Sequence, residues 1–170
     1  MAGQVRILGT GQLLELQRRL RSAGHENLRA SMQRRVRRAA EPLRDDLQQT
    51  LGALPIRSEG RKAGGRGGPS PTTRPLRATI AAAIRISVRN TSGAAGARVW
   101  VDKGRLPPDL KNMASTINTG RIRHPVFGNR RRWATQTASP PWWDSTVRKH
   151  MPRMEREVAR VLDDVRRQLE

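Results

Sequence analysis

The amino-acid sequence predicts an α+β fold in which long amphipathic helices pack on one face of a small antiparallel β-sheet. Apolar residues recur every three or four positions from Leu28 to Leu54 and again from Val147 to Leu169, which marks two helices with one buried stripe each. Between them the period changes to two, in Ile84, Ile86 and Val88 and in Val99 and Val101, the spacing of half-buried strands. A run rich in Gly, Pro and Arg separates the first helix from the strands and cannot support a core of its own.

Taken in order, residues 1–27 form an N-terminal helical segment: Leu13, Leu14, Leu16 and Leu20 suggest a short helix with Thr10 as N-cap, ending near Gly24. The long helix, 28–54, carries Leu28, Met32, Val36, Ala39, Ala40, Leu43, Leu47, Leu51 and Leu54 on one stripe. Pro42 removes a backbone donor within it and is expected to kink or divide the rod. Residues 55–75 read as a flexible basic arm, with Gly64, Gly65, Gly67 and Gly68 beside Arg57, Arg61, Lys62, Arg66 and Arg74. Such a tethered polycation is expected to order only on a partner.

The β-rich region spans 76–143. Thr79 to Arg89 and Arg98 to Asp102 are expected to form an antiparallel hairpin across the turn-prone Asn90 to Gly96, followed by a polar loop at 103–120 containing Pro107 and Pro108. Val126-Phe127 and Trp133 to Thr137 extend as further strand around a turn at Gly128-Asn129. The C-terminal helix, 144–170, presents Val147, Met151, Met154, Val158, Val161, Leu162, Val165 and Leu169, with Asp144 or Ser145 as cap and a bend at most at Pro152.

At 170 residues the chain is expected to be one domain. Its hydrophobic content of 35% and aromatic content of 3% leave a thin aliphatic core that oligomerisation would reinforce. Against 14 Asp and Glu stand 34 Lys and Arg, a formal net charge of +20, so a polyanion or an acidic surface is an expected neighbour. The C-terminal helix is nearly neutral, which assigns the excess to the first 143 residues. Absence of Cys excludes disulfides, thiol catalysis and Cys-ligated zinc. No apolar run is long enough to span a bilayer and no signal-peptide core is evident, so the chain is expected to be made in a cytosol, without a membrane partner.

No active site and no cofactor are expected. His25, His124 and His150 lie far apart in sequence, with no acidic cluster to complete a metal shell. Asp45-Asp46 and Asp163-Asp164 are adjacent on helices, diverge by roughly 100° and read as solvated faces rather than paired carboxylates. The glycine run lacks the strand and the Lys-Ser/Thr of a phosphate loop. Arg34, Arg35, Arg37 and Arg38, and again Arg130, Arg131 and Arg132, fit solvated surface, phosphate contact or an acidic protein partner, without any signature of sequence-specific readout.

The densest feature runs from Arg121 to Trp143, where the single Phe and three of the four Trp accompany five Arg. Basic aromatic segments bind nucleic acid, and Trp and Arg equally anchor protein interfaces. Phe127, Trp133, Trp142 and Trp143 are therefore the candidate subunit-interface residues. Arg61, Lys62, Arg66, Arg130, Arg131 and Arg132 are the candidates for contact with DNA or an acidic partner. Pro140-Pro141 stiffens the entry to Trp142-Trp143, and one of those two rings is expected under the C-terminal helix with the other facing outward.

The order of short motifs resembles the HK97 gp10-like family of tailed-phage neck, head-tail connector and tail-completion proteins, in versions from phages of actinobacteria. The resemblance rests on Ala39-Ala40-Glu41-Pro42-Leu43 in the long helix, Leu54-Pro55 at its end and Arg74-Pro75-Leu76-Arg77-Ala78-Thr79-Ile80 at the expected start of the first strand. Arg123-His124-Pro125-Val126-Phe127-Gly128-Asn129, a following Trp and Gln, and a Pro-Trp pair before the terminal helix complete it. It covers about Leu28 to Glu170. Many relatives have a tight Pro-x-x-Thr-Gly connection where this chain inserts Ile56 to Thr73, so the arm is a departure. The resemblance implies a non-enzymatic virion protein forming a homo-oligomeric ring, a hexamer or dodecamer, at the head-to-tail junction. Its partners would be other copies of itself, neighbouring connector, terminator or tail-tube proteins and genomic DNA in the channel. A tail terminator ring fits the same resemblance. A basic protein that binds nucleic acid non-specifically fits the charge alone.

Overall fold

In the computed structural model the described residues are 4–8, 11–58, 75–91, 94–126, 129–139 and 141–169. They build an α+β fold around one long helix, α2 (Glu26–Ala53), whose Met32, Val36, Ala40, Leu43, Leu47 and Leu51 are buried at helical spacing. Each buried Leu on this stripe contributes about 2 kcal/mol of apolar burial. Pro42 lies inside α2 without dividing it, so of the kink or division expected there the division does not occur. The preceding helix, α1 (Gly11–Ser22), stops at Gly24, where φ is 70°. There the Gly24 N–H donates to the Arg21 carbonyl at 3.3 Å and the His25 N–H to the Leu20 carbonyl at 3.0 Å, a Schellman closure that needs the left-handed glycine.

The second long helix, α5 (Trp142–Arg167), runs antiparallel to α2, because Arg35 of α2 meets Asp164 whereas Asp46 meets His150. Both β3 (Ile84–Thr91) and β4 (Ala94–Val101) also pack on α2. They form the expected hairpin, with Ile84 opposite Val101, Ile86 opposite Val99 and Val88 opposite Ala97. Alternation then buries Ile84, Ile86, Ala97, Val99 and Val101 while Arg85 and Arg89 are exposed. A third strand, β1 (Gln4–Leu8), completes a sheet of order β1-β4-β3, all antiparallel. It lies in the segment 1–27, where the sequence predicts only a helix.

Among its described residues the region read as β-rich contains two further α-helices, with 3-10 turns at Lys103–Arg105 and Pro108–Leu110 between them. The Arg74-to-Ile80 motif opens a helix, α3 (Leu76–Ala82), and not a strand. Its alanines favour helix, and α2 holds it at both ends. Arg77 donates to the Leu54 carbonyl at 2.6 Å beyond the C-terminus of α2, and Gln48 donates to the Ala81 carbonyl at 3.0 Å. The loop at 103–120 contains α4 (Met113–Asn118), whose β-branched Thr116 and Ile117 obscure its helical character.

A second sheet has the order β2-β6-β5, formed by β2 (Ile56–Ser58), β5 (Arg121–Val126) and β6 (Asn129–Ala138). The arm expected at 55–75 therefore begins as paired strand: Ile56 lies opposite Ala138 and Ser58 opposite Gln136. Residues 59–74 lie outside the described residues, as do Thr10, expected as a cap, and Phe127.

Asn118 joins α4 to the start of α5. Its Oδ1 accepts the Trp143 N–H at 2.9 Å and its Nδ2 donates to the Asp144 carboxylate, also at 2.9 Å. The expected caps, Asp144 and Ser145, lie inside the helix; Pro141 occupies the N-cap position with no side-chain hydrogen bond. A buried amide from another helix satisfies an orphan N–H that a local cap would otherwise hold. Asn118→Ala is expected to destabilise the protein by about 1–2 kcal/mol. Asn118→Asp is expected to cost more, because a second carboxylate then faces Asp144. Urea unfolding of the two variants checks this, and an Asn118→Asp chain as stable as the parent would show that the bridge carries no weight.

Candidate functional site

The hairpin of β5 and β6 carries the exposed part of the basic aromatic segment. Its pairing is regular from Arg121 opposite Thr137 to Pro125 opposite Trp133, then steps to Val126 opposite Asn129. One step on β5 thus matches four on β6, and Arg130, Arg131 and Arg132 are the extra residues of a bulge. All three are exposed. The Trp133 indole N–H donates to the Arg130 carbonyl at 2.9 Å, which ties the ring across the bulge. The Arg123 guanidinium lies 5.0 Å from the Trp133 ring centre, within cation–π range. Trp133 remains 48% exposed, the one large hydrophobic side chain so exposed among the described residues.

This arrangement separates the interface candidates. Trp133 stands on the surface beside four arginines with its polar edge already bonded, which suits an aromatic anchor for another molecule. Trp142 and Trp143 do not: each is 2% exposed, and their rings meet edge to face at 5.5 Å and 89°. The expectation that one of them faces outward is overturned. Asn118 of α4 ties the start of α5 and α5 packs along α2, so both rings enter the core although adjacent residues diverge around the helix.

The DNA or acidic-partner candidates also separate. Arg130, Arg131 and Arg132 share the exposed bulge, whereas Arg61, Lys62 and Arg66 fall within 59–74, outside the described residues. Of the arginine cluster on α2, Arg34, Arg37 and Arg38 are exposed, but Arg35 is half-buried and engaged by Asp164.

The paired aspartates split as helical divergence requires, yet only one of each pair is a solvated face. Asp45 and Asp163 point outward, at 59% and 66% side-chain exposure. Asp46 instead accepts from His150 at 2.7 Å and Lys149 at 2.9 Å, fastening α2 to α5. Asp164 accepts from Arg35 across the same helix pair and from Arg167 on its own helix. These hydrogen bonds, from His150 and then Lys149 in one case and from Arg35 foremost in the other, hold both carboxyls below the ordinary aspartate value. Sequence reasoning missed these ties and the place of His150.

A depressed folded-state value means that the stability Asp46 contributes is full above the unfolded-state value and is lost as pH falls through the folded one. Wild-type stability is therefore expected to drop below about pH 4 more steeply than that of Asp46→Asn, the two converging in strong acid. Thermal unfolding at stepped pH checks the sign. Parallel pH profiles would remove Asp46 from the account.

Among the described residues no group of three His, Asp or Glu side chains is placed to hold a metal ion, and no helix is long and apolar enough to cross a membrane. No family model, curated protein or solved structure matches the chain.

Proposed function

We propose that this chain is a structural virion subunit of a tailed bacteriophage, acting without catalysis in a homo-oligomeric ring at the head-to-tail junction as a neck connector or tail-completion protein. The observation that carries the reading is the β5–β6 hairpin, which sets Trp133 and a three-arginine bulge on the surface beside Arg123. An exposed aromatic anchor with one guanidinium over its ring and three exposed arginines just before it in the strand suits a heterologous ring contact, one subunit's hairpin meeting a different surface of the next. The order of motifs along the chain supports the phage assignment. Both long helices keep their apolar stripes inside the subunit, so ring contacts fall to the hairpin and not to a helix exchange.

In this reading the net charge of +20 serves DNA in the channel or acidic neighbours of the ring. A tail terminator would use the same surface. The charge also favours a second reading, a monomeric basic protein that coats nucleic acid without sequence preference. Light-scattering mass after nuclease treatment, at low and high salt, separates the two classes. A ring held by Trp133 persists as a closed multimer in high salt; a monomer at every concentration and salt would sink the ring.

A further inference from the structure

Between α2 and α5, on a surface separate from the hairpin, lies an open cleft of about 560 Å³. Arg38 of α2 and Arg153 of α5 line it, and neither has a carboxylate or hydrogen-bond partner among the described residues. The other lining arginines are compensated internally: Arg35 and Arg167 meet Asp164, and Arg160 meets Glu157 at 3.0 Å. Ala39, Pro42 and Val161 give the same cleft an apolar part.

We propose that this cleft is a docking site for an acidic polypeptide segment of a partner protein, with Arg38 and Arg153 receiving its carboxylates and the half-buried Ala39 and Pro42 an interleaved apolar side chain. Charge complementarity sets the sign of the occupant. Two uncompensated guanidinium groups on facing helices form charge-assisted, bidentate bonds with carboxylates. The apolar part decides the class. Phosphodiesters gain nothing from an apolar surface, and the lining contains no aromatic ring on which bases of a single strand could stack. A second copy of this chain is a poor source, since its 14 acidic residues are outnumbered by 34 basic ones. The site belongs to one subunit, so it stands or falls independently of the ring.

The test uses the full chain and three labelled probes in fluorescence anisotropy: a synthetic peptide of repeated Glu-Glu-Leu, poly-Glu of equal charge, and a duplex oligonucleotide. The Glu-Glu-Leu peptide is expected to bind more tightly than poly-Glu, and to weaken at least about tenfold in the Arg38→Ser/Arg153→Ser double variant. Melting of that variant should match the parent, because neither arginine holds an ion pair; if it does not, Arg38→Lys/Arg153→Lys retains the charge and is expected to weaken binding by a smaller factor. Equal peptide affinity of parent and both variants would overturn the site. Poly-Glu binding as tightly as the mixed peptide would overturn the apolar contact. Duplex binding that alone depends on the two arginines would replace the polypeptide with nucleic acid.

Discussion

Trp143→Ala is expected to lower the unfolding free energy by about 3–5 kcal/mol, a large part of what a domain of this size possesses. The ring is 2% exposed, its backbone N–H is held by Asn118, and its edge-to-face partner is Trp142. Removing it empties the junction of α5 with the rest of the core, and a helix start with buried neighbours cannot collapse fully into the space. Trp142 is a less suitable probe. Its indole Nε1 is buried without a hydrogen-bond partner among the described residues, so part of its apolar gain is offset by desolvation of about 1–3 kcal/mol. Trp142→Phe should consequently cost much less than Trp143→Ala. Urea unfolding measures both, and a Trp143→Ala loss below about 1 kcal/mol would show that the rings do not brace the core.

Both long helices are legible in the sequence because a repeat near 3.6 over many residues has few alternative explanations: the stripe from Met32 to Leu51 is the one buried, and Val158 to Val165 behaves likewise. Short elements are not. Gln4–Leu8 has only Val5 and Ile7 in alternation, and Met113–Asn118 is less than two helical turns. Their stability comes from what they pack against, β4 for the one and β5 with α5 for the other, and local sequence does not contain those contacts.

The candidate site divides along the same line. Residue type marks Trp and Arg in 121–143 as anchor candidates, but exposure distinguishes Trp133 from Trp142 and Trp143, and exposure is a property of the assembled fold. Adjacent helical residues diverge, so one outward Trp is the natural expectation; burial of both rings where Asn118 of α4 holds the start of α5 defeats it. Asp46 and Asp164 are hidden for a related reason. Their partners His150 and Arg35 lie 104 and 129 residues away, and the register of two antiparallel helices is set by packing rather than by a motif.

Because Trp133 lies outside the core, its replacement should separate assembly from folding. Trp133→Ala is expected to leave the melting temperature within about a degree or two while weakening subunit association by about 2–4 kcal/mol, the range of an aromatic hot spot. Replacing Arg130, Arg131 and Arg132 together by Ser tests the other half of the surface. If the bulge faces an acidic neighbour or DNA, the triple variant should fold normally, assemble at a slower rate and lose its dependence on ionic strength, since exposed charges are screened over about 8 Å at physiological salt. Analytical ultracentrifugation reads assembly for both variants, and a phage complementation assay reads infectious, DNA-filled particles. Unaltered assembly in Trp133→Ala would sink the proposal that the hairpin carries a ring contact. Full particle yield with the triple variant would reduce the arginines to a solvated bulge, because a contact made by a rigid strand scaffold cannot lose all three of its charges without consequence.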